Sequence, residues 1–349
     1  MNDPAPISLT CLDIEKPAQL LDYLRRTDRI GSGETPQFQT LTGGVSNRTV
    51  LVHRAGGDSW VCKQALHKLR VKVNWFSDPS RIQREALGLR WLEKLAPPDT
   101  ITPLVFEDPG HHLLAMQAVP QPHENWKSML MSGRIDLPLV EQFGALLGEI
   151  HRRSAESVEP LREIFDDRSF FESLRIEPYY AYTAQQVPEA RSFIDRLIQD
   201  TRARRLALVH GDYSPKNILV RNDRLILLDH EVIHWGDPAF DVGFALTHLL
   251  SKANHRRDLR FIEAAMRFRE TYSAALGPVY FDSNLDLMCA RHLLACLLAR
   301  IAGRSPLEYL DEAQRQRQQQ FAVDAMKRSG WPLQQIFELF AQKVIDAPD

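Results

Sequence analysis

The sequence predicts a mixed α+β chain of two lobes. A small antiparallel β-sheet lobe with one inserted helix occupies residues 1–119, and a larger, mainly α-helical lobe occupies 120–349. Three observations predict it. Short alternating apolar runs between glycine, proline and aspartate turns fill the first third of the chain. Long runs with helical spacing fill most of the rest. Between them, Pro120 and Pro122 mark a hinge where one pattern gives way to the other.

The elements follow in order. "EKPAQLLDYLRRT" spaces Leu20, Leu21 and Leu24 as a helix, with a proline near its first turn. "FQTL", "RTVLVHR" and "SWVCKQAL" read as three strands, the second turn made by "AGGD". "DPSRIQREALGLRWLEKL" is the inserted helix, with Asp78 as its expected cap and Pro79 in its first turn. "TPLVFEDPGHHLLAMQAV" closes the lobe as a hairpin. Past the hinge, "LPLVEQFGALLGEIHRRS", "EARSFIDRLIQDTRARR" and "AFDVGFALTHLLSKA" are helices, and "QRQRQQQ" is read as the wet face of another. Residues 206–231 interrupt them with short β-rich runs.

At 349 residues the chain suits one large or two modest domains. A net charge of -2 gives no strong overall field for nucleic acid or an anionic membrane. Four scattered cysteines, Cys11, Cys62, Cys289 and Cys296, form no CxxC pair, so a zinc ribbon or disulfide scaffold is disfavoured and a reducing cytoplasm is expected. The start "MNDPAPISLT" lacks the basic and apolar segments of a signal peptide. "LMCARHLLACLLARIAG" carries Arg291, His292 and Arg300, which suits a buried helix better than a membrane span.

The chemistry concentrates in "LVHGDYSPKNILV". Phosphoryl transfer needs an aligned hydroxyl, neutralised phosphates and a carboxylate to orient or accept the hydroxyl proton. Asp212 fits that carboxylate, and Asn217 offers an oxygen suited to magnesium. A polar turn whose side chains bond their own backbone is the competing reading of the loop. "RLILLDHEV" reads as a strand that sets Asp229 and Glu231 on one side. Such a pair repels unless the face is wet or holds a cation. Asp229 and Asn217 would share that cation across a hairpin turned by "RNDR". In "WGDPAFDVG", Asp237 is expected to start a helix, and Asp241 either bonds back to the loop or favours the helix dipole.

A positive charge for phosphates is also required. Alternation sets Lys63 beside small apolar residues, and Glu85 on the next helix can anchor it. "LTGGVSN" offers Gly43, Gly44, Ser46 and Asn47 in a turn whose amides could approach phosphate, or which is simply a hairpin turn.

Together these parts resemble the aminoglycoside phosphotransferase and choline kinase-like family, relatives of the protein kinases, over roughly residues 38–250. "VHGDYSPKNILV" looks like its catalytic loop, "LLDHEV…GDPAFD" like its metal segment, and "LTGGVSN", "VCKQAL" and "REALGLRWL" like its nucleotide lobe. "VCKQAL…NWFSDPSRIQREA" and "DHE" are also similar to methylthioribose kinases. The resemblance implies a protein-kinase-like bilobal fold, ATP and Mg2+ as cofactors, and Asp212 as catalytic base. It further implies Asn217 and Asp229 as metal ligands, Lys63 on the phosphates with Glu85 as partner, and the nucleotide base against Gln117 to Val119. Glycine at 211 and only eleven residues between Asp229 and Asp241 leave no protein-kinase activation segment, so a small-molecule hydroxyl acceptor is expected. His230, Glu231, Trp235 and Arg300 are candidates to touch it. Two other readings stay open: a metal-dependent hydrolase on His210, Asp212, Asp229, His230 and His234, and a nucleotide-binding regulator without catalysis.

Overall fold

The computed structural model describes residues 12–42, 44–70, 74–328 and 330–346. The expectations placed on the N-terminal start, Cys11 and Gly43 lie outside the described residues. The chain forms two compact units, Met1–Leu87 with Pro103–Pro120, and Gly88–Thr102 with Gln121–Asp349.

In the first unit, helix α1 (Pro17–Arg26) turns Leu20, Tyr23 and Leu24 inward, and all three are buried. They meet the inner face of an antiparallel sheet in the order β1-β2-β3-β5-β4. Its strands are β1 (Gln37–Thr40), β2 (Asn47–His53), β3 (Trp60–Ala65), β4 (Leu104–Asp108) and β5 (Leu113–Gln117). Strand alternation sends Trp60 and Cys62 to that core with Val50, Val52 and Ala115, which leaves Lys63 on the other face. Burying each large apolar side chain here contributes about 1.5–3 kcal/mol, which sets the register firmly. Helix α2 (Arg81–Leu95) begins two residues after the expected first turn, because Asp78 bonds Ser80 N at 2.9 Å in a tight turn that precedes it.

The expected division gave all of 1–119 to the first lobe, whereas residues 88–102 pack with the second unit. There Leu227 N donates to Thr100 O at 2.8 Å, and Ile101 bridges Leu227. The strand β6 (Glu124–Asn125) leads into α3 (Trp126–Met131) and the long helix α4 (Leu137–Glu156). Helix α4 packs on the helix Arg260–Leu276 at close range. A Cβ on Gly144 would fall 2.5 Å from Phe268 O, so only glycine allows that approach.

The β-rich interruption is three short pieces. Strand β7 (Ala207–Val209) precedes the polar loop, and β8 (Ile218–Arg221) and β9 (Arg224–Leu227) form the hairpin after it, with β6 on its edge. The turn at Asn222 and Asp223 takes positive φ, as a two-residue hairpin turn requires. Strand β10 (His234–Gly236), which the sequence reading did not foresee, pairs antiparallel with β7. "LMCARHLLACLLARIAG" lies in the buried helix Ser283–Ala302. No helix among the described residues is long and apolar enough to cross a membrane. In the glutamine-rich helix Glu312–Met326 most of that run is partly exposed, but Gln318 is buried and bonds Leu297 O at 2.9 Å.

Candidate functional site

In the first unit, Lys63 and Glu85 meet as expected. Lys63 Nζ lies 2.6 Å from Glu85 Oε1, and the Glu85 side chain is fully buried. Of the turn residues, Gly44 is exposed, while Ser46 and Asn47 are buried. Ser46 O is gripped by Leu66 N at 2.9 Å and by Arg81 Nη2. That grip fixes the turn, and Arg81, 0% exposed, is a support that no sequence signal marks. Gln117 ends β5 with its backbone N–H on Pro103 O at 2.9 Å, and Ala118 N bonds Ser59 O at 2.8 Å, so the connection toward Val119 is held in shape.

In the second unit the loop 210–217 is fastened from three directions. Asp241, buried in the first turn of the helix Ala239–Arg256, accepts His210 N at 2.7 Å and Gly211 N at 2.8 Å. His151 Nε2 stands 3.3 Å from the same carboxylate. Burial alone would raise the Asp241 pKa. The His151 bond, the charges of His151 and His210, and the Gly211 amide outweigh it and hold the carboxyl below its ordinary value. Of the two readings for Asp241, the bond back to the loop is the one formed. Gly211 takes φ +78, and a Cβ there would also fall 3.0 Å from Val232 O. Tyr213 pins the loop's middle, its hydroxyl donating to Phe143 O at 2.7 Å and its ring stacked on Phe143 at 4.3 Å. The loop is therefore far more than a self-bonded turn.

Asp212 sits at the mouth of this frame with both carboxylate oxygens engaged. Asn217 Nδ2 donates to Oδ2 at 2.7 Å, and Arg175 Nη2 reaches Oδ1 at 3.0 Å. Leu228 N donates to Asn217 O at 2.9 Å, which brings the residue before Asp229 against the loop. Asp229 was expected at the end of a strand, but β9 stops at Leu227 and Asp229 takes φ 71. The chain turns sharply there, so the same-side argument for Asp229 and Glu231 does not hold as stated. Both carboxylates nonetheless act on Arg175, together with Asp212. Burial opposes the Arg175 charge, and Asp212, Tyr179, Glu231 and Asp229 outweigh it to raise its pKa.

Arg175 is the main residue the sequence reading missed. It comes from a π-helix, Glu172–Ala181, with Pro178 inside it. Besides Asp212 it donates to Gly211 O at 2.7 Å, so one guanidinium grips both the loop backbone and its carboxylate. A run containing "EPYYAY" carries no periodic signal that would mark it.

The remaining candidates divide. The rings of His210 and His230 meet edge to face at 5.2 Å, and Gly88 leaves room for His230, whose Cβ lies 2.9 Å from where a Gly88 Cβ would stand. Burial lowers the His210 pKa, and its Nδ1 faces Asp212 N at 3.2 Å. Trp235 is 1% exposed in β10 and bonds Arg205 O at 3.1 Å, so the structure assigns it to the core, apart from Asp212. His234 stacks on Phe171 at 4.1 Å with Nδ1 on Val232 O. Asp237 accepts Ala239 N at 3.1 Å and pairs with Arg204 at 2.8 Å, the structural part expected of it. Arg300 lies in the last turn of its helix, with Nη1 on Tyr179 Oη at 2.9 Å.

A model of the phosphotransferase enzyme family matches residues 37–283. Methylthioribose kinase from Pectobacterium atrosepticum is 27% identical over an alignment covering 56% of this chain and 55% of that protein. The enzyme of the same name from Pectobacterium carotovorum is 26% identical, covering 54% and 53%. The chain thus spans about half the length of the curated relatives it matches. An amicoumacin kinase in complex with AMP-PNP and Ca2+ superposes with a TM-score of 0.56 at 14% identity, over 83% of this chain and 88% of the other. A macrolide 2′-phosphotransferase from Brachybacterium faecium gives 0.51 at 16%, over 95% and 99%. At these identities the two structures speak for the kinase-like fold alone.

Proposed function

We propose a function from one premise: this chain belongs to the phosphotransferase enzyme family. It moves the γ-phosphate of ATP onto a hydroxyl of a small sugar or alcohol. The acceptor oxygen bonds to phosphorus, the bond to the β–γ bridging oxygen breaks, ADP leaves, and the hydroxyl proton passes to Asp212. The observation that carries this reading is the grip on Asp212, by Asn217 on one oxygen and Arg175 on the other, in a loop fastened by Asp241. Each carboxylate oxygen keeps a lone pair beyond those contacts, enough to accept and aim a hydroxyl. A held carboxylate serves a loose transition state well, because alignment matters there more than early deprotonation.

Asn217 and Asp229 present an amide and a carboxylate oxygen, hard donors that suit magnesium. Asn217 spends its N–H2 group on Asp212, which leaves Oδ1 for the ion. Magnesium, when bound, offsets phosphate charge as the leaving oxygen separates. Lys63, steadied by Glu85, carries positive charge for the nucleotide phosphates, and the amides near Gly44, Ser46 and Asn47 approach them. The base lies along Gln117 to Val119. His230, Glu231 and Arg300 remain on the acceptor side, and Trp235 is left to the core.

An ADP-release screen over methylthioribose, aminoglycosides, choline-like alcohols, homoserine and simple sugars tests the reading. With an accepted substrate, Asp212→Ala lowers turnover about 10²–10⁴-fold while ADP still binds. Near-normal turnover in that variant removes Asp212 from the role.

A further inference from the structure

Lys252 lies in the helix Ala239–Arg256, 1% exposed, and its Nζ makes a single hydrogen bond, to His248 O at 3.1 Å. An ammonium withdrawn from water needs an anion or several acceptors, and Lys252 has one carbonyl. Its surroundings make the need greater. Lys127, Arg300 and Lys216 all act on the neighbouring His248, itself 7% exposed. The carboxylate among them, Glu308, is well exposed and already paired with Lys127 at 2.8 Å. Arg300 finds only neutral partners, Tyr179 Oη, Ser305 Oγ and Ser305 O. The buried Tyr309 hydroxyl and Arg300 Nε have no hydrogen-bond partner in the protein. The Tyr309 ring lies 5.7 Å from Lys252 Nζ, so these unmet groups share one place.

That place connects to Asp212. The Tyr179 ring has Arg300 at 5.7 Å and Arg175 at 5.6 Å, and Arg175 holds Asp212. Lys216 belongs to the same loop as Asp212 and Asn217. A molecule presenting its hydroxyl to Asp212 would therefore extend toward an excess of positive charge.

We propose that the acceptor carries an anionic group, a carboxylate or a phosphate ester, and that Lys252 and Arg300, with Lys127 and Lys216 around them, take it. The location beside Asp212 gives this meaning within the phosphotransferase reading, but the binding itself does not depend on turnover. Neutral sugars leave the buried ammonium uncompensated, and polycationic aminoglycosides are repelled by it. Burial first, then Lys127 and Arg300, bring the Lys252 amine down to about 7 against the pull of Glu308, and an anion bound beside it would favour the protonated form.

Calorimetric titration of the full chain with matched probes tests the proposal: glycerate against glycerol, gluconate against glucose, ribose 5-phosphate against ribose, and kanamycin as the polycation. The anionic member of at least one pair binds about 10- to 100-fold tighter than its neutral counterpart, the span of a charge-assisted hydrogen bond. Glycerate and gluconate against ribose 5-phosphate separate carboxylate from phosphate. The preference collapses in Lys252→Met and Arg300→Met, and falls in Lys127→Met, whose half-exposed position makes loss of fold no explanation. Equal or tighter binding of the neutral or cationic probes overturns the proposal. So does an anion preference untouched by all three variants, or a loss of ADP binding in their place. ADP release, measured separately, decides the phosphotransferase reading on its own.

Discussion

Two buried charges in the helix Ala239–Arg256 are handled in opposite ways. Asp241, in its first turn, receives two backbone N–H groups and faces His151, so its charge is fully compensated within the protein. Lys252, three turns later, has one carbonyl, the face of the Tyr309 ring at 5.7 Å, and Lys127 and Arg300 acting against its charge more strongly than Glu308 acts for it. The first arrangement is what a fold does to hold a shape, because an unmet buried ion costs several kcal/mol. The second carries that cost without a structural return. One end of the helix is finished by the protein; the other is left for a ligand.

The largest effect that would break or sharpen this contrast is at Asp241. Asp241→Ala strands the His210 and Gly211 amides in the interior and is expected to cost about 3–5 kcal/mol in urea unfolding. Lys252→Met fills the same volume with an apolar chain and removes an uncompensated ion, so it is expected to be neutral or stabilising. If Lys252→Met costs as much as Asp241→Ala, the two ends do not differ. The next effect is at Arg175. Arg175→Met frees one Asp212 oxygen and the Gly211 carbonyl, and is expected to lower kcat about 10- to 100-fold with a smaller change in KM for ATP. Arg175→Lys keeps the charge but loses the fork, so it restores part of kcat and not all. An unchanged kcat in Arg175→Met would leave the guanidinium with a packing role only.

Legibility from the sequence follows the same line. The strands and the loop carry their signals locally. Lys63 stands out by alternation, Asp212 and Asn217 by two apolar runs around a polar loop, and Asp241 by its distance from the helix start. Asp229 is expected on a strand because "LILL" carries the apolar pattern up to it, whereas β9 stops at Leu227 and φ turns positive at Asp229. Arg175 and Arg81 were invisible, since each acts through a fold-distant carbonyl or carboxylate. Pro178 adds to this, because proline argues against the helix in which Arg175 sits. The gathering of Lys252, Arg300 and Lys127 depends on the registers of three separate helices, which no local window contains.

The smallest expected effect is a pH dependence of stability that isolates Lys252. Its amine is lowered from the ordinary 10.5 to about 7 in the folded chain, by burial first and then by Lys127 and Arg300. Between those values the unfolded chain holds a proton that the folded chain lacks, so stability rises with pH. Below about 7 both states are protonated, and the contribution is level at its least favourable. The other groups around Lys252 stay still in this window. Burial, then the nearby cations, push His248 well below its ordinary value, so it is neutral, and burial raises the Tyr309 phenol, so it keeps its proton. Burial works to raise Glu308, but Lys127 holds it below the usual carboxylate range, so it is ionised. From pH 7.5 to 8.5 the unfolding free energy is expected to gain about 1 kcal/mol that Lys252→Met lacks, read from paired urea titrations. Parallel curves for the two proteins would mean that the amine is already compensated, and the helix would then have no unfinished end.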